Sequence, residues 1–160
     1  MKAISVLRLW TVTLAAAVLA STNVVAETGR PVPIEQRAQG AERIVVASVA
    51  HVSSRMHQTE FGDTIIVSDA LLSVEETIKG KHGPVTMTLE GGTVNGFTMR
   101  VSSLPVLLPG ERGVFFLERG KSGEFRPHLR GQGILKLDAA NRVKASSLTL
   151  ADIRRMARGQ

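Results

Sequence analysis

The stretch from Thr64 to Lys79 (TIIVSDALLSVEETIK) limits the architecture more than any other part of this chain. Ile66, Ala70, Leu72, Val74 and Ile78 fall on even positions, and Ser73, Glu75, Thr77 and Lys79 on odd ones. From Asp69 onward that is a period of two, which describes the second half of a strand with one face buried. Glu75, Glu76 and Lys79 are good helix formers, but Thr64, Ile65, Ile66, Val67 and Thr77 are β-branched and no helical stripe fits as well. Strands usually run about 5–6 residues, so a run this long must bend, as strands do around a small barrel.

The neighbouring segments follow the same logic. Ile44 to Val52 is a β-rich run of the kind that is buried, and one or two helical turns precede it in Ile34 to Glu42. Past the Gly80–Pro84 turn, Val85, Met87 and Leu89 alternate with Thr86, Thr88 and Glu90. Phe97, Met99 and Val101 alternate in turn, and Val114-Phe115-Phe116-Leu117 is apolar on both faces, hence central. Phe125–Leu129 and Ile134–Leu137 complete about six strands punctuated by glycine and proline. The tail changes period. Thr149 and Asp152 have capping-box spacing, Leu150, Ile153 and Met156 share a face, and Arg154, Arg155 and Arg158 suit the negative end of a helix. These patterns predict a mostly β domain, a small closed or partly closed barrel, with a short C-terminal α-helix. An immunoglobulin-like β-sandwich is the second architecture. Ile44, Val46, Leu72, Val74, Val85, Leu89, Phe97, Phe115, Leu117 and Leu135 are the expected core.

Ahead of this domain the composition shifts. Lys2 and Arg8 precede an uncharged run from Leu9 to Ala20, and Val24-Val25-Ala26 places small residues where a signal peptidase reads them. Twelve residues rise about 18 Å as a helix, against a hydrocarbon core of roughly 30 Å, so a stable membrane anchor is not expected. Residues 1–26 therefore read as a signal peptide cut after Ala26, with 27–41 a leader, 42–138 the β-domain, and 139–160 a linker and helix. Such a protein is periplasmic or secreted. Removing 26 of 160 residues leaves 134, and losing Lys2 and Arg8 lowers the formal charge from +6 to +4. That surplus is too mild for a nucleic-acid footprint. The chain has no Cys, so burial alone must hold it, and thiol chemistry is excluded.

No catalytic or metal constellation is legible, and no cofactor is expected. His51, His57, His82 and His128 lie in no ligand motif, and no Ser sits in G-x-S-x-G or S-x-x-K. Glu75 and Glu76 are adjacent on a strand and cannot face each other as an acid–base pair; Glu76 reads as a barrel-rim salt-bridge partner. The segment Arg112–Arg130 mixes charges, with Phe125 as its one candidate base-stacking ring.

Several strings recur in a familiar order: Val74-Glu75-Glu76-Thr77-Ile78-Lys79-Gly80, then Glu90-Gly91-Gly92, then Leu108-Pro109-Gly110-Glu111-Arg112-Gly113-Val114-Phe115-Phe116-Leu117, then Gly131-Gln132-Gly133-Ile134. Over residues 41–138 the chain resembles exported bacterial proteins of unknown function with an OB-like β-barrel, similar to that of tissue inhibitors of metalloproteinases. Their genes often neighbour matrixin-type metalloproteases. The resemblance implies an OB-like barrel and a non-enzymatic protein-binding module that partners or modulates a secreted metalloprotease. Those inhibitors ligate zinc through an N-terminal cysteine, which this chain lacks, so no inhibitory residue carries over. The alternatives are an OB-type binder of oligonucleotide or glycan, and a hydrolase assembled from scattered residues. Rigid barrels present their loops for recognition. Two loops are candidates for partner binding: Gly91, Gly92 and Asn95, expected to bring bare backbone to the surface, and Val106 and Leu107 between two prolines. The second loop would ordinarily fold inward to close a barrel end; it becomes a binding surface if Val106 and Leu107 face solvent.

Overall fold

A computed structural model describes residues 31–159. The expected signal peptide, with its expected cut after Ala26, lies outside the described residues. A short helix α1 (Ile34–Gly40) leads into two long strands, β1 (Arg43–Gln58) and β2 (Thr64–Lys79), followed by β3 (Val85–Glu90). A small ribbon of β4 (Gly92–Val94) and β5 (Phe97–Met99) comes next, then β6 (Arg112–Arg119), β7 (Phe125–Pro127), β8 (Ile134–Lys136) and helix α2 (Leu150–Ala157). Strand β2 has the bounds of the Thr64–Lys79 run read from the sequence.

The pairings of the main sheet nearly close on themselves. β1 pairs with β2, β2 with β3, and β6 with both β7 and β1, all antiparallel. Only β3 and β7 run parallel, and their seam is one residue pair, Met87 opposite Phe125. The sheet therefore curls until its edges touch at a point, without the continuous ladder of a closed barrel. With β8 also antiparallel to β6 the sheet has six strands, and a partly open curl of this order is OB-like. The sandwich does not form, because β1 belongs to both halves of one continuous sheet. Register shifts at Ile44/Val45, Val46/Ala47 and Val49/His51 supply the bend that lets a 16-residue strand serve both halves.

Two apolar clusters lie on opposite faces of β1 and β6. Val45, Ala47, Val49, Phe115 and Leu117 point into the curl with Leu72, Val85, Met87 and Leu89. Ile44, Val46, Val114 and Phe116 point outward and are covered by Ile34 and Ala38 of α1 and Leu150 and Ile153 of α2. This double covering explains why both strands read as continuous apolar runs. It also makes the leader and tail parts of the packed unit, since α1 and α2 roof the second cluster. α2 starts at the expected capping box, with Thr149 and Asp152 exchanging hydrogen bonds. Glu76 pairs with Arg154 at 2.6 Å and with Arg158 at 3.3 Å, which fastens α2 to β2 from the rim.

Three expected core positions need correction. Phe97 is 69% exposed. Its alternation is real, since Met99 and Val101 are half-buried, but β5 pairs only with β4, and Phe97 sits at the turn end of that ribbon. Val74 and Leu135 are half-buried, packing on the margins of the two clusters. β7 stops at Pro127 and β8 at Lys136, each shorter than its apolar pattern.

Candidate functional site

The Gly91–Gly96 segment is a hairpin. Asn95 (φ 50°) and Gly96 (φ 81°) form the two-residue turn between β4 and β5, where positive φ at both positions matches the strand twist. Asn95 is exposed as expected. Gly91 is buried and Gly92 half-buried, so neither brings bare backbone to the surface. Their role is packing. Ser54 and Ser68 share a hydrogen bond of 2.9 Å, Ser68 donates to the Gly91 carbonyl at 2.6 Å, and a Cβ on Gly92 would collide with both hydroxyls. The second loop divides. Leu107 is buried in the inner cluster, which removes it from any binding surface, whereas Val106 and Leu108 are exposed.

A groove of about 730 Å³ that the loop candidates do not include lies elsewhere on the curled sheet. The outer half of the β1–β2 hairpin overhangs the curl and forms one wall, with Arg55, His57 and Ile65 along it and Phe61 in its turn. The β6–β7 hairpin supplies the other wall through Glu118, Lys121, Glu124 and Arg126, and Glu90, Leu104, Leu129 and Arg130 are also in the lining. Phe61 is 84% exposed, the most exposed large apolar side chain described. The turn that carries it is tied down: Thr59 Oγ1 accepts from the Phe61 and Asp63 amides, and Thr59 donates its own amide to the Asp63 carbonyl.

The charges of this groove are paired. Lys121 reaches across from one hairpin to Glu60 on the other at 2.9 Å, Arg130 holds Glu90 at 3.0 Å, and Arg55 holds Asp69 at 2.9 Å. Arg126 stands 3.4 Å from Glu124, and His128 bonds through Nδ1 to Glu118. Phe125 is half-buried, with the Arg119 guanidinium 4.4 Å from its centroid and that of Arg43 at 5.9 Å. Among the described residues, no group of three His, Cys, Asp or Glu side chains could hold a metal ion.

Several carboxylates around the sheet sit below their ordinary range. Burial pushes Asp69 upward, but hydrogen bonds from Thr88 and Arg55 and the charges of Arg55 and His57 outweigh it and hold it low. Burial likewise raises Glu75 and Glu111, and Ser48 with Arg112, and Lys136 with the Leu108 amide, bring them below the usual value. A carboxylate lowered by folding contributes stability above its unfolded pKa and loses it as pH falls through its folded one. Melting temperature followed by circular dichroism should therefore hold steady against these groups down to about pH 5 and decline below about pH 4. A melting temperature that rises between pH 5 and 3 would contradict these pairings.

Sequence reasoning missed the groove because its walls come from segments far apart in the chain. Phe61 carried a readable signal nonetheless: a lone aromatic among Glu60, Gly62 and Asp63 belongs to a turn and has no alternating partner to bury it. Among the described residues, no helix is long and apolar enough to cross a membrane. No protein-family model matches the chain, and a search of curated proteins finds no match.

Proposed function

We propose that this chain is a non-enzymatic protein-binding module, acting in the periplasm or outside the cell, that takes its partner at the groove between the β1–β2 and β6–β7 hairpins. The exposure of Phe61 above charges that already satisfy one another carries this reading. An aromatic held on a pinned turn is the kind of anchor that dominates protein interfaces, and a charge-balanced rim fits a mixed protein surface. A polyanion needs the reverse, unpaired cations and free stacking faces. Glycan platforms favour Trp and Tyr; the sole Trp is Trp10, in the export segment, and there is no Tyr. The export signal supports the location, and the family resemblance gives the partner class, a secreted metalloprotease. Without Cys, contact would rest on side-chain packing.

The test is capture from culture supernatant and periplasm, followed by affinity measurement with the purified partner. Phe61→Ser should leave the circular dichroism spectrum unchanged, as exposed substitutions shift stability within about 0.5 kcal/mol. It should weaken binding by about 2 kcal/mol or more, roughly thirtyfold. Unchanged affinity in Phe61→Ser would remove the groove. Tight binding of a single-stranded oligonucleotide or an oligosaccharide, or hydrolytic turnover by the purified chain, would replace the reading altogether.

A further inference from the structure

The outer half of β1, Val52 to Gln58, has an edge that pairs with no strand among the described residues. Thr59 donates its amide to the Asp63 carbonyl at 2.8 Å, where the β1–β2 ladder ends. Bonding alternates along an antiparallel strand, so His51, Ser53, Arg55 and His57, in step with Thr59, also turn their backbone groups to β2. Val52, Ser54, Met56 and Gln58 turn theirs the other way. On that side β6 pairs with β1 as far as Ser48, and the next bonds join Val49 to Gly110 and Glu111. The edge is open from there to the hairpin turn.

Proteins ordinarily blunt such an edge with lysine, proline or a covering element. The run VSSRMHQ holds no Lys and no Pro, and residues 55–58 are exposed. Its one fixed charge, Arg55, belongs to a residue whose backbone faces β2, and it is paired with Asp69 at 2.9 Å. Met56, whose backbone faces the open edge, is 47% exposed.

We propose that two copies of this chain join antiparallel along this edge, about a two-fold axis at Ser54, so that β2 and β1 of both copies form one sheet. The side chains set the register. With Ser54 opposite itself, Met56 meets Val52 of the second copy, an apolar pair that symmetry forms twice. On the other face, Arg55 of the second copy comes opposite Ser53, whose neighbour on β2 is Asp69. A long guanidinium side chain thus points over a short serine toward a carboxylate, and the charges complement each other across the axis. An axis at Arg55 would set that residue opposite itself, like charge against like charge. An axis at Ser53 would bring Gln58 against Ser48, whose edge β6 already holds. This self-complementarity selects a second copy over a foreign strand. Pairing by the edge leaves both faces of the hairpin uncovered, so the dimer is separate from the groove and does not depend on the proposed function.

Sedimentation velocity on the purified chain over a wide concentration range should show a monomer–dimer equilibrium, a weak one because a single short ladder is a small interface. Met56→Lys places a charge at an exposed edge position and should weaken the dimer at least about tenfold. Hydrogen exchange followed by nuclear magnetic resonance reads the register residue by residue. The amides of Val52, Ser54 and Met56 should exchange fast in dilute solution and slowly in concentrated solution, whereas those of Ser53, Arg55 and His57 should be slow in both. That alternation needs no variant, so it decides the matter even if Met56→Lys does not fold. A monomer at every concentration, a dimer that Met56→Lys leaves intact, or edge amides that stay fast at high concentration would overturn the proposal. Protection of those amides only when a different protein is present would give the edge to a foreign strand and would overturn it as well.

Discussion

Phe115→Ala should cost about 3–5 kcal/mol, a large part of the roughly 5–15 kcal/mol that holds an ordinary domain. Phe115 is 1% exposed and lies in the inner cluster at the middle of β6. Its strand is paired on both edges at this residue, with Val45 of β1 on one side and Ile134 of β8 on the other. Those ladders prevent the backbone from moving inward, so the hole left by the ring stays a hole. Gly113 shows the same tightness, since a Cβ there would press on the Leu135 carbonyl and meet the Phe115 ring. With no Cys in the chain, no disulfide adds to the stability against which this loss is set. Urea denaturation followed by far-ultraviolet circular dichroism should show either an unfolded variant or a sharply lowered midpoint. Phe97→Ala is the internal control, because that ring is 69% exposed and its loss should stay within about 0.5 kcal/mol. A Phe115→Ala cost below about 1 kcal/mol would mean that β6 is not the centre of the core.

The contrast between these two phenylalanines shows where sequence periodicity is informative. β2 was legible because its first residues are β-branched and its second half alternates between apolar and polar positions. β6 was legible because both its faces are covered, one by the curl and one by α1 and α2. Alternation says which residues share a face, but not whether anything lies over that face. Phe97, Met99 and Val101 share one, and only the last two are partly covered. The outer half of β1 was hidden for the opposite reason. Ser53 to Gln58 has no apolar alternation, and it is a strand because Thr64 to Asp69 of β2 hold it in register. That extension creates the overhang, and the overhang makes the groove. The groove was thus illegible as a site although its anchor, Phe61, stood out as a turn aromatic. Similarly, the glycines at 91 and 92 were visible, but the hydroxyls of Ser54 and Ser68 that require them come from two other strands.

Leu107→Ala should cost about 2–5 kcal/mol, while Val106→Ser, one residue away, should stay within about 0.5 kcal/mol. The difference follows from how the loop before β6 is fastened. Lys136 donates to the Val106 carbonyl at 2.7 Å and pairs with Glu111 at 2.7 Å, and Glu111 accepts from the Leu108 amide at 2.9 Å. Gly110 donates to the Val49 carbonyl at 2.8 Å, which ties the far end of the loop to β1. The backbone being held on both sides of it, Leu107 has one place to go: into the inner cluster, where it is 6% exposed beside the partly buried Leu104. Val106 and Leu108, each 57% exposed, are left outside by the same geometry. The loop is a plug with an apolar rim, which is why an inward fold and an exposed Val106 coexist. Urea midpoints for the two single variants, measured under one buffer, separate the roles. Equal costs for both substitutions, or a Val106→Ser loss above about 1 kcal/mol, would mean that the loop is not seated through Leu107 and that the inner cluster is covered some other way.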